Sequence, residues 1–286
     1  MKETIKISGF ADEIAGDLVM QVENLKKLNM NYVEMRGVDG DNLIFHTNEK
    51  VREIKKYIDA NGIRLSALGS PLGKIGINDP FEPHFESFKR AIEIAHMMEC
   101  NRIRLFSFYL PENSNPSEFE GAVFERIGKF LDYASANDAV LLHENEKGIY
   151  GEKAVECRKL MDTFYGEHFQ AIFDFANFVQ AGEDTLKAYE LLKKYISYIH
   201  VKDALMADGS VVPAGFGDGH VQEILTDLFA SGFDGFLSLE PHLFHFSGFD
   251  LLEKDGKSMQ NAEKKELDGV QAFALAHESL LKILPD

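Results

Sequence analysis

Four residues in the second half of the chain have the types and placement to do chemistry: Glu144, Asp174, His200 and Glu240. Each closes a short apolar run, in Leu141-Leu142-His143-Glu144-Asn145, Ile172-Phe173-Asp174-Phe175, Tyr198-Ile199-His200-Val201-Lys202-Asp203 and Ser238-Leu239-Glu240-Pro241-His242. A charge set among apolar neighbours needs a partner or a metal. Three carboxylates brought together would repel one another. A divalent cation relieves that repulsion, and His200 adds a neutral nitrogen. Three oxygen ligands and one nitrogen, with no sulfur, suit Mn, Mg, Co or Zn and do not choose among them. Taken singly, an acid at a strand end also reads as a helix cap or a solvated loop residue, and a strand histidine as a satisfied core residue. Four on successive strands, all at the same end, read as a site.

The elements that must position them follow from the apolar pattern. Eight runs have the buried-strand signature: residues 5–10, 32–35, 64–68, 103–108, 140–144, 171–175, 196–201 and 235–239. Helical patterns lie between them, over 17–28 (Leu18, Val22, Leu25, Leu28), 85–98, 122–136, 186–195 and 221–230. Asn61-Gly62 and Ser231-Gly232 are helix stops suited to a left-handed cap. Alternating strands and helices imply a parallel sheet, and eight repeats favour a closed (β/α)8 barrel, a TIM barrel. The absence of a GxGxxG or GxxxxGK[ST] loop weakens the open-sheet alternative. Nothing marks a linker, so residues 1–286 are read as one domain. In such a barrel chemistry sits at the C-terminal strand ends. Strand alternation points Glu144 inward with Leu142 and Val140, turns His143 and Asn145 away, and pairs His200 with Lys202 and Glu240 with His242.

Composition narrows the function. Hydrophobic residues make up 45% of the 286, enough for a large core, and the net charge is -17. So negative a surface disfavours nucleic acid and anionic lipid as partners. The two cysteines, Cys100 and Cys157, read as buried or half-buried thiols in helices and make no metal motif. No apolar leader and no run long enough to span a membrane is evident, so a cytoplasmic protein is expected.

These motifs carry a resemblance. His143-Glu144-Asn145-Glu146, Phe173-Asp174-Phe175-Ala176-Asn177, His200-Val201-Lys202-Asp203-Ala204, the loop Pro213-Ala214-Gly215-Phe216-Gly217-Asp218-Gly219, and Ser238-Leu239-Glu240-Pro241-His242 together resemble the sugar phosphate isomerase/epimerase superfamily. Its members are also called xylose isomerase-like or AP-endonuclease-2-type barrels. The resemblance covers nearly the whole chain. It implies that Glu144, Asp174, His200 and Glu240 bind a divalent metal. It also implies that Glu144 and Glu240 exchange a substrate proton, as the two glutamates of the ketose 3-epimerases do. Asn177 stands where those epimerases carry a substrate-binding His, and Met206 where they tend to carry an Arg.

The implied chemistry is proton transfer beside a carbonyl through an enediolate, on a small sugar, sugar phosphate or polyol. The alternatives are a keto-polyol dehydratase of the inosose dehydratase type, or a sugar-binding barrel without catalysis. Asn177, Lys202, Glu34, Arg36 and His242 are the candidate substrate contacts, with a salt bridge as the competing reading for Lys202 and a mutual ion pair for Glu34 and Arg36. Arg104, inside an apolar strand, is expected to pair with Glu34 or Glu144. Ser70-Pro71-Leu72-Gly73-Lys74 is a candidate binding loop. Residues 244–256 are long enough for a lid or an oligomer contact, so a homo-oligomer is left open. A three-zinc AP endonuclease would need more histidines at the early strand ends. The first 140 residues hold only His46, His84 and His96, none at a strand end.

Overall fold

The structure, a computed structural model, describes residues 5–243 and 267–285. Eight parallel strands form a nearly closed barrel: β1 (Lys6–Gly9), β2 (Tyr32–Met35), β3 (Arg64–Leu68), β4 (Arg102–Leu105), β5 (Val140–Glu144), β6 (Phe169–Asp174), β7 (Ile196–Val201) and β8 (Phe236–Leu239). The ladder runs from β1 through β8, β7, β6, β5, β4 and β3 to β2, and β2 packs beside β1 at the seam. Four strands match the sequence reading residue for residue. Among the described residues the α-helices are α1 (Leu18–Lys27), α2 (Asn48–Ala60), α3 (Phe81–Met97), α4 (Glu120–Ala136), α5 (Ala154–Phe164), α6 (Phe175–Gln180), α7 (Thr185–Leu192), α8 (Val221–Ala230) and α9 (Gly269–Ile283). The predicted caps hold, with Gly62 at φ 74° and Gly232 at φ 88°.

The side chains divide as strand alternation requires. Ile103, Leu141, Phe173, Ile199 and Leu237 face the helices and join the main core. Ala67, Leu142, Ile172, Tyr198 and Phe236 form a smaller cluster inside the barrel, with Tyr32 and Val140 packed against it. Above this plug lies a polar layer that includes Glu34, Arg104, Glu144, Asp174, His200 and Glu240, all buried. The plug fills the barrel below that layer, so the polar groups lie toward the C-terminal ends of the strands.

The fold departs from the sequence reading at the fourth strand and at Cys100. The fourth strand stops at Leu105, because the Phe106 N–H leaves the sheet to bond the Leu72 carbonyl at 2.8 Å. Gly73 permits this: at φ 87°, a Cβ there would sit 1.9 Å from the Phe106 oxygen. Cys100 is buried but lies past the end of α3, while Cys157 is in α5 as expected. The possible lid, residues 244–256, lies outside the described residues.

The loop 70–74 is tied down by His84, whose Nε2 accepts the Gly73 N–H at 2.7 Å. Burial, with Arg126 nearby, lowers the His84 pKa to about 4. A histidine depressed in the fold contributes stability above its unfolded value of about 6.5 and loses it as pH falls toward 4. His84→Gln keeps an acceptor that cannot take up a proton. Denaturant midpoints measured at neutral and mildly acidic pH should therefore fall less for this variant than for the parent. Parallel losses would refute the assignment.

Candidate metal centre

Each of the four strand ends is shaped by its neighbours. Asp174 ends β6 and caps α6 at once: its Oδ1 accepts the Asn177 N–H at 2.8 Å, which ends the strand and starts the helix. Asn145 braces the same turn, accepting the Asp174 N–H at 2.9 Å and donating to the Asp174 carbonyl at 3.0 Å. Asp174 Oδ2 is buried and accepts no hydrogen bond of good geometry, although Lys202 Nζ lies 3.2 Å away. This oxygen lies between Lys202 and His200, 4.0 Å from the His200 Nδ1. Ligand atoms of Glu144, Asp174, His200 and Glu240 all lie within 4.8 Å of one another. The donor set, three carboxylates and one imidazole, fits a divalent ion.

Both nitrogens of His200 are engaged. Nδ1 lies 2.8 Å from Glu144 Oε1, 3.7 Å from Glu240 Oε2 and 4.0 Å from Asp174 Oδ2, so it faces the cluster. Nε2 lies 3.1 Å from Glu34 Oε2, below the cluster. Burial would lower the His200 pKa, but the charges of Glu144 and Glu34 win and raise it well above the ordinary value. Phe10 sets its ring edge-on to His200, 5.2 Å between centroids, with the Arg36 and Arg104 guanidiniums 4.4 Å and 4.8 Å from its own centroid.

Cations already compensate much of the carboxylate charge, so bare repulsion is not what the strand-end pattern encodes. Arg104 Nη1 is 3.1 Å from Glu144 Oε2 and 3.7 Å from Glu240 Oε1. Lys202 Nζ is 3.0 Å from Glu240 Oε2. Burial would raise the Glu144 pKa, but His200 and Arg104 pull it down to about 2. The same contest lowers Glu240 well below the usual range, through Lys202, His242, His200 and Arg104. Asp174 goes the other way: burial outweighs Lys202, and the two nearby glutamates add to it, raising the pKa to about 7.

The remaining candidates divide. Asn177 donates to the Asn145 carbonyl at 2.9 Å and reaches Glu144 Oε1 at 3.5 Å, inside the cluster. Lys202 forms the expected acid salt bridge and sits at the centre as well. Glu34 and Arg36 do not pair with each other. Glu34 reaches across the barrel to His200, and Arg36 holds Asp12 at 2.7 Å, Glu13 at 3.4 Å and Glu240 at 3.1 Å. Of the two partners expected for Arg104, the structure gives it Glu144. His242, at φ 44°, places Nε2 3.5 Å from Glu13 and 3.6 Å from Glu240. His143 packs near-parallel to Phe169 and against Gly151, away from the cluster; burial lowers its pKa to about 4.

Sequence reasoning missed Asp12 and Glu13. They lie in a short turn after β1, and both are buried beside Arg36. Adjacent acids in a loop read as solvated, and only their position after a strand marks them. It also left Asp203 without a role. Its carboxylate accepts the N–H groups of Ala204, Gly215, Gly217 and Gly219 at 2.9–3.0 Å and so anchors the 213–219 loop. A Cβ at Gly217 or Gly219 would come within 2.4 Å or 2.6 Å of Asp203 Oδ1, which explains the glycine-rich spacing.

Among solved structures, the chain is similar to the IOLI protein with a bound zinc atom (16% identity, 98% of each chain covered, TM-score 0.72). It is also similar to a D-tagatose 3-epimerase-like protein (16% identity, 98% of each chain, TM-score 0.71). A third is the probable 3-DHS dehydratase AsbF of Bacillus anthracis (18% identity, 82% of this chain and 92% of that one, TM-score 0.69). At these identities the likeness shows the fold. No curated protein matches the sequence. The family model described as "Xylose isomerase-like TIM barrel" matches residues 22–262. The chain belongs to the family of xylose isomerase-like TIM barrels.

Proposed function

We propose that this protein is a divalent-metal-dependent isomerase or epimerase of a keto-sugar or keto-polyol, and that Glu144 and Glu240 are its proton-transfer pair. The observation that carries the reading is the buried quartet of Glu144, Asp174, His200 and Glu240, with two glutamates on strands that flank the other two ligands. When bound, the metal would polarise the substrate carbonyl and take up the charge of the enediolate. The rest falls to the chain's own residues. Arg104 and Lys202 orient the two carboxylates and hold them ionised, as a base requires. Lys202 and Asn177 present donors at the centre for substrate hydroxyls. Arg36 and His242 bracket Glu240 from the other side. The test is turnover of a panel of ketoses and keto-polyols with and without metal. Conversion that needs metal supports the reading, and metal-independent conversion contradicts it.

Dehydration is the second reading, favoured by one feature. His242 and Glu13 place a further proton-carrying pair beside Glu240. A base that takes the proton next to the carbonyl, together with an acid that protonates the departing β-hydroxyl, releases water. Product mass separates the two outcomes.

Glu34 has a different part from the substrate contact the sequence suggested. Fully buried, it accepts from His200 Nε2 and leaves Nδ1 for the metal. Glu34→Leu, of similar bulk and unable to accept, should weaken metal affinity by roughly 10–100-fold. Glu34→Gln, which can still accept, should weaken it less. A metal titration without substrate reads this directly. Unchanged affinity in the leucine variant would return Glu34 to a packing role.

A further inference from the structure

The opposite mouth of the barrel is basic, in a chain whose net charge is -17. Strand alternation that places Ser8, Ser66 and Arg104 inside the barrel also turns Lys6, Arg64 and Arg102 inward at the N-terminal rim. These three line a cavity of about 320 Å³ with Tyr32, Lys55, Asp59, Glu99 and Phe236 among the other walls. Four cations there face two carboxylates. Lys55 already holds both of those, Asp59 and Glu99. Lys6 pairs at 2.9 Å with Asp234, which is 85% exposed. Arg64 and Arg102 have no ion pair or side-chain hydrogen bond among the described residues. Arg102 and Lys6 instead lie 5.5 Å and 5.4 Å from the centroid of the Phe236 ring, which tilts edge-on to Tyr32.

This arrangement is not explained by stability. Residues at the N-terminal face of such barrels ordinarily serve the fold. Arg64 and Arg102 converge on one mouth without an ion pair of their own among the described residues, and contacts to the Phe236 ring, 6% exposed, offset their repulsion only in part. Guanidiniums matched to two oxygens of one anion would remove the repulsion and form bidentate, charge-assisted hydrogen bonds. The volume admits a small ligand, and the unpaired groups are forks rather than point charges. We propose that the N-terminal mouth binds a phosphate-type dianion through Arg64 and Arg102, with Lys6 at its edge. The site lies on the far side of the apolar plug from the metal centre and is independent of the reading given to that centre.

The experiment is a titration of the whole protein with inorganic phosphate at constant ionic strength, followed by calorimetry and by phosphorus NMR. Saturable binding is expected, with sulfate competing and chloride inert. Arg64→Ala/Arg102→Ala should weaken it by about tenfold or more. The thermal midpoint of that variant without phosphate should match or exceed the parent's, because two unpaired like charges have gone. Glycerol 3-phosphate distinguishes the sources: binding at least as tight as phosphate marks an ester as the occupant, and weaker binding marks the free ion. Absence of saturable binding to the parent protein would overturn the proposal. So would equal binding by the double variant, which would place the anion elsewhere, including at the metal. A lowered midpoint without phosphate would mark the arginines as structural and overturn it as well.

Discussion

Glu144→Gln and Glu240→Gln should each lower turnover by ~10²-fold or more on any substrate the protein converts, the usual scale for loss of a general acid or base. Glutamine keeps the shape of the side chain and can still offer one oxygen to a metal, but it cannot carry the proton. The two losses should not look alike, because the two environments differ. Glu144 is held by His200 and Arg104, with Asn177 close by. Glu240 is held by Lys202, Arg36 and Arg104, with His242 alongside. A variant that keeps its base can still remove the substrate proton without completing the reaction. In deuterated water one variant should therefore wash deuterium into recovered substrate while the other does not. Wild-type turnover in both variants would show that the two carboxylates do not carry the chemistry.

Metal removal should lower the melting temperature. A ligand bound only by the native state adds RT ln(1 + [L]/Kd), about 2.7 kcal/mol at a hundred times Kd. For a domain of 286 residues, with an unfolding entropy of about 2.1 cal/mol/K per residue, that corresponds to roughly 4–5 °C. EDTA should produce a fall of this order, and Mn, Mg, Co or Zn should reverse it. The metal-free protein should nevertheless stay folded, because Arg104, Lys202 and Arg36 already pair with the carboxylates that a metal would bind. Asp174→Asn should abolish the metal-dependent shift. It removes the one centre-facing oxygen that has no good hydrogen bond, while an amide oxygen can still cap α6. A melting temperature indifferent to EDTA and to added metal would count against the centre.

The barrel was legible because its strands are apolar, short and separated by amphipathic stretches. The four candidate ligands were legible for the same reason: a carboxylate at the end of such a strand stands out against Ile, Leu and Phe. What failed to show depends on contacts distant in sequence. Arg36 looked like a partner for Glu34, two residues away on the same face, yet it turns to Asp12 and Glu13 beyond β1. Phe175 reads as strand by its aromatic character, and only the Asp174 cap makes it the first residue of α6. Helix α2 was passed over although Val51, Ile54 and Ile58 keep helical spacing, because charged residues crowd the rest of it. Lys202 was legible as a neighbour of His200, but its place between Asp174 and Glu240 follows from the closure of the barrel.

Solvent exchange gives the most direct test of metal-dependent proton transfer at this centre. The metal-loaded protein is incubated in deuterated water with a panel of ketoses and keto-polyols, and deuterium beside the carbonyl is followed by NMR and mass. Incorporation into at least one of them is expected, abolished by EDTA, restored by a divalent metal, and sharply reduced in Glu144→Gln or Glu240→Gln. Exchange that persists after metal removal and in both glutamine variants would contradict this reading of the centre.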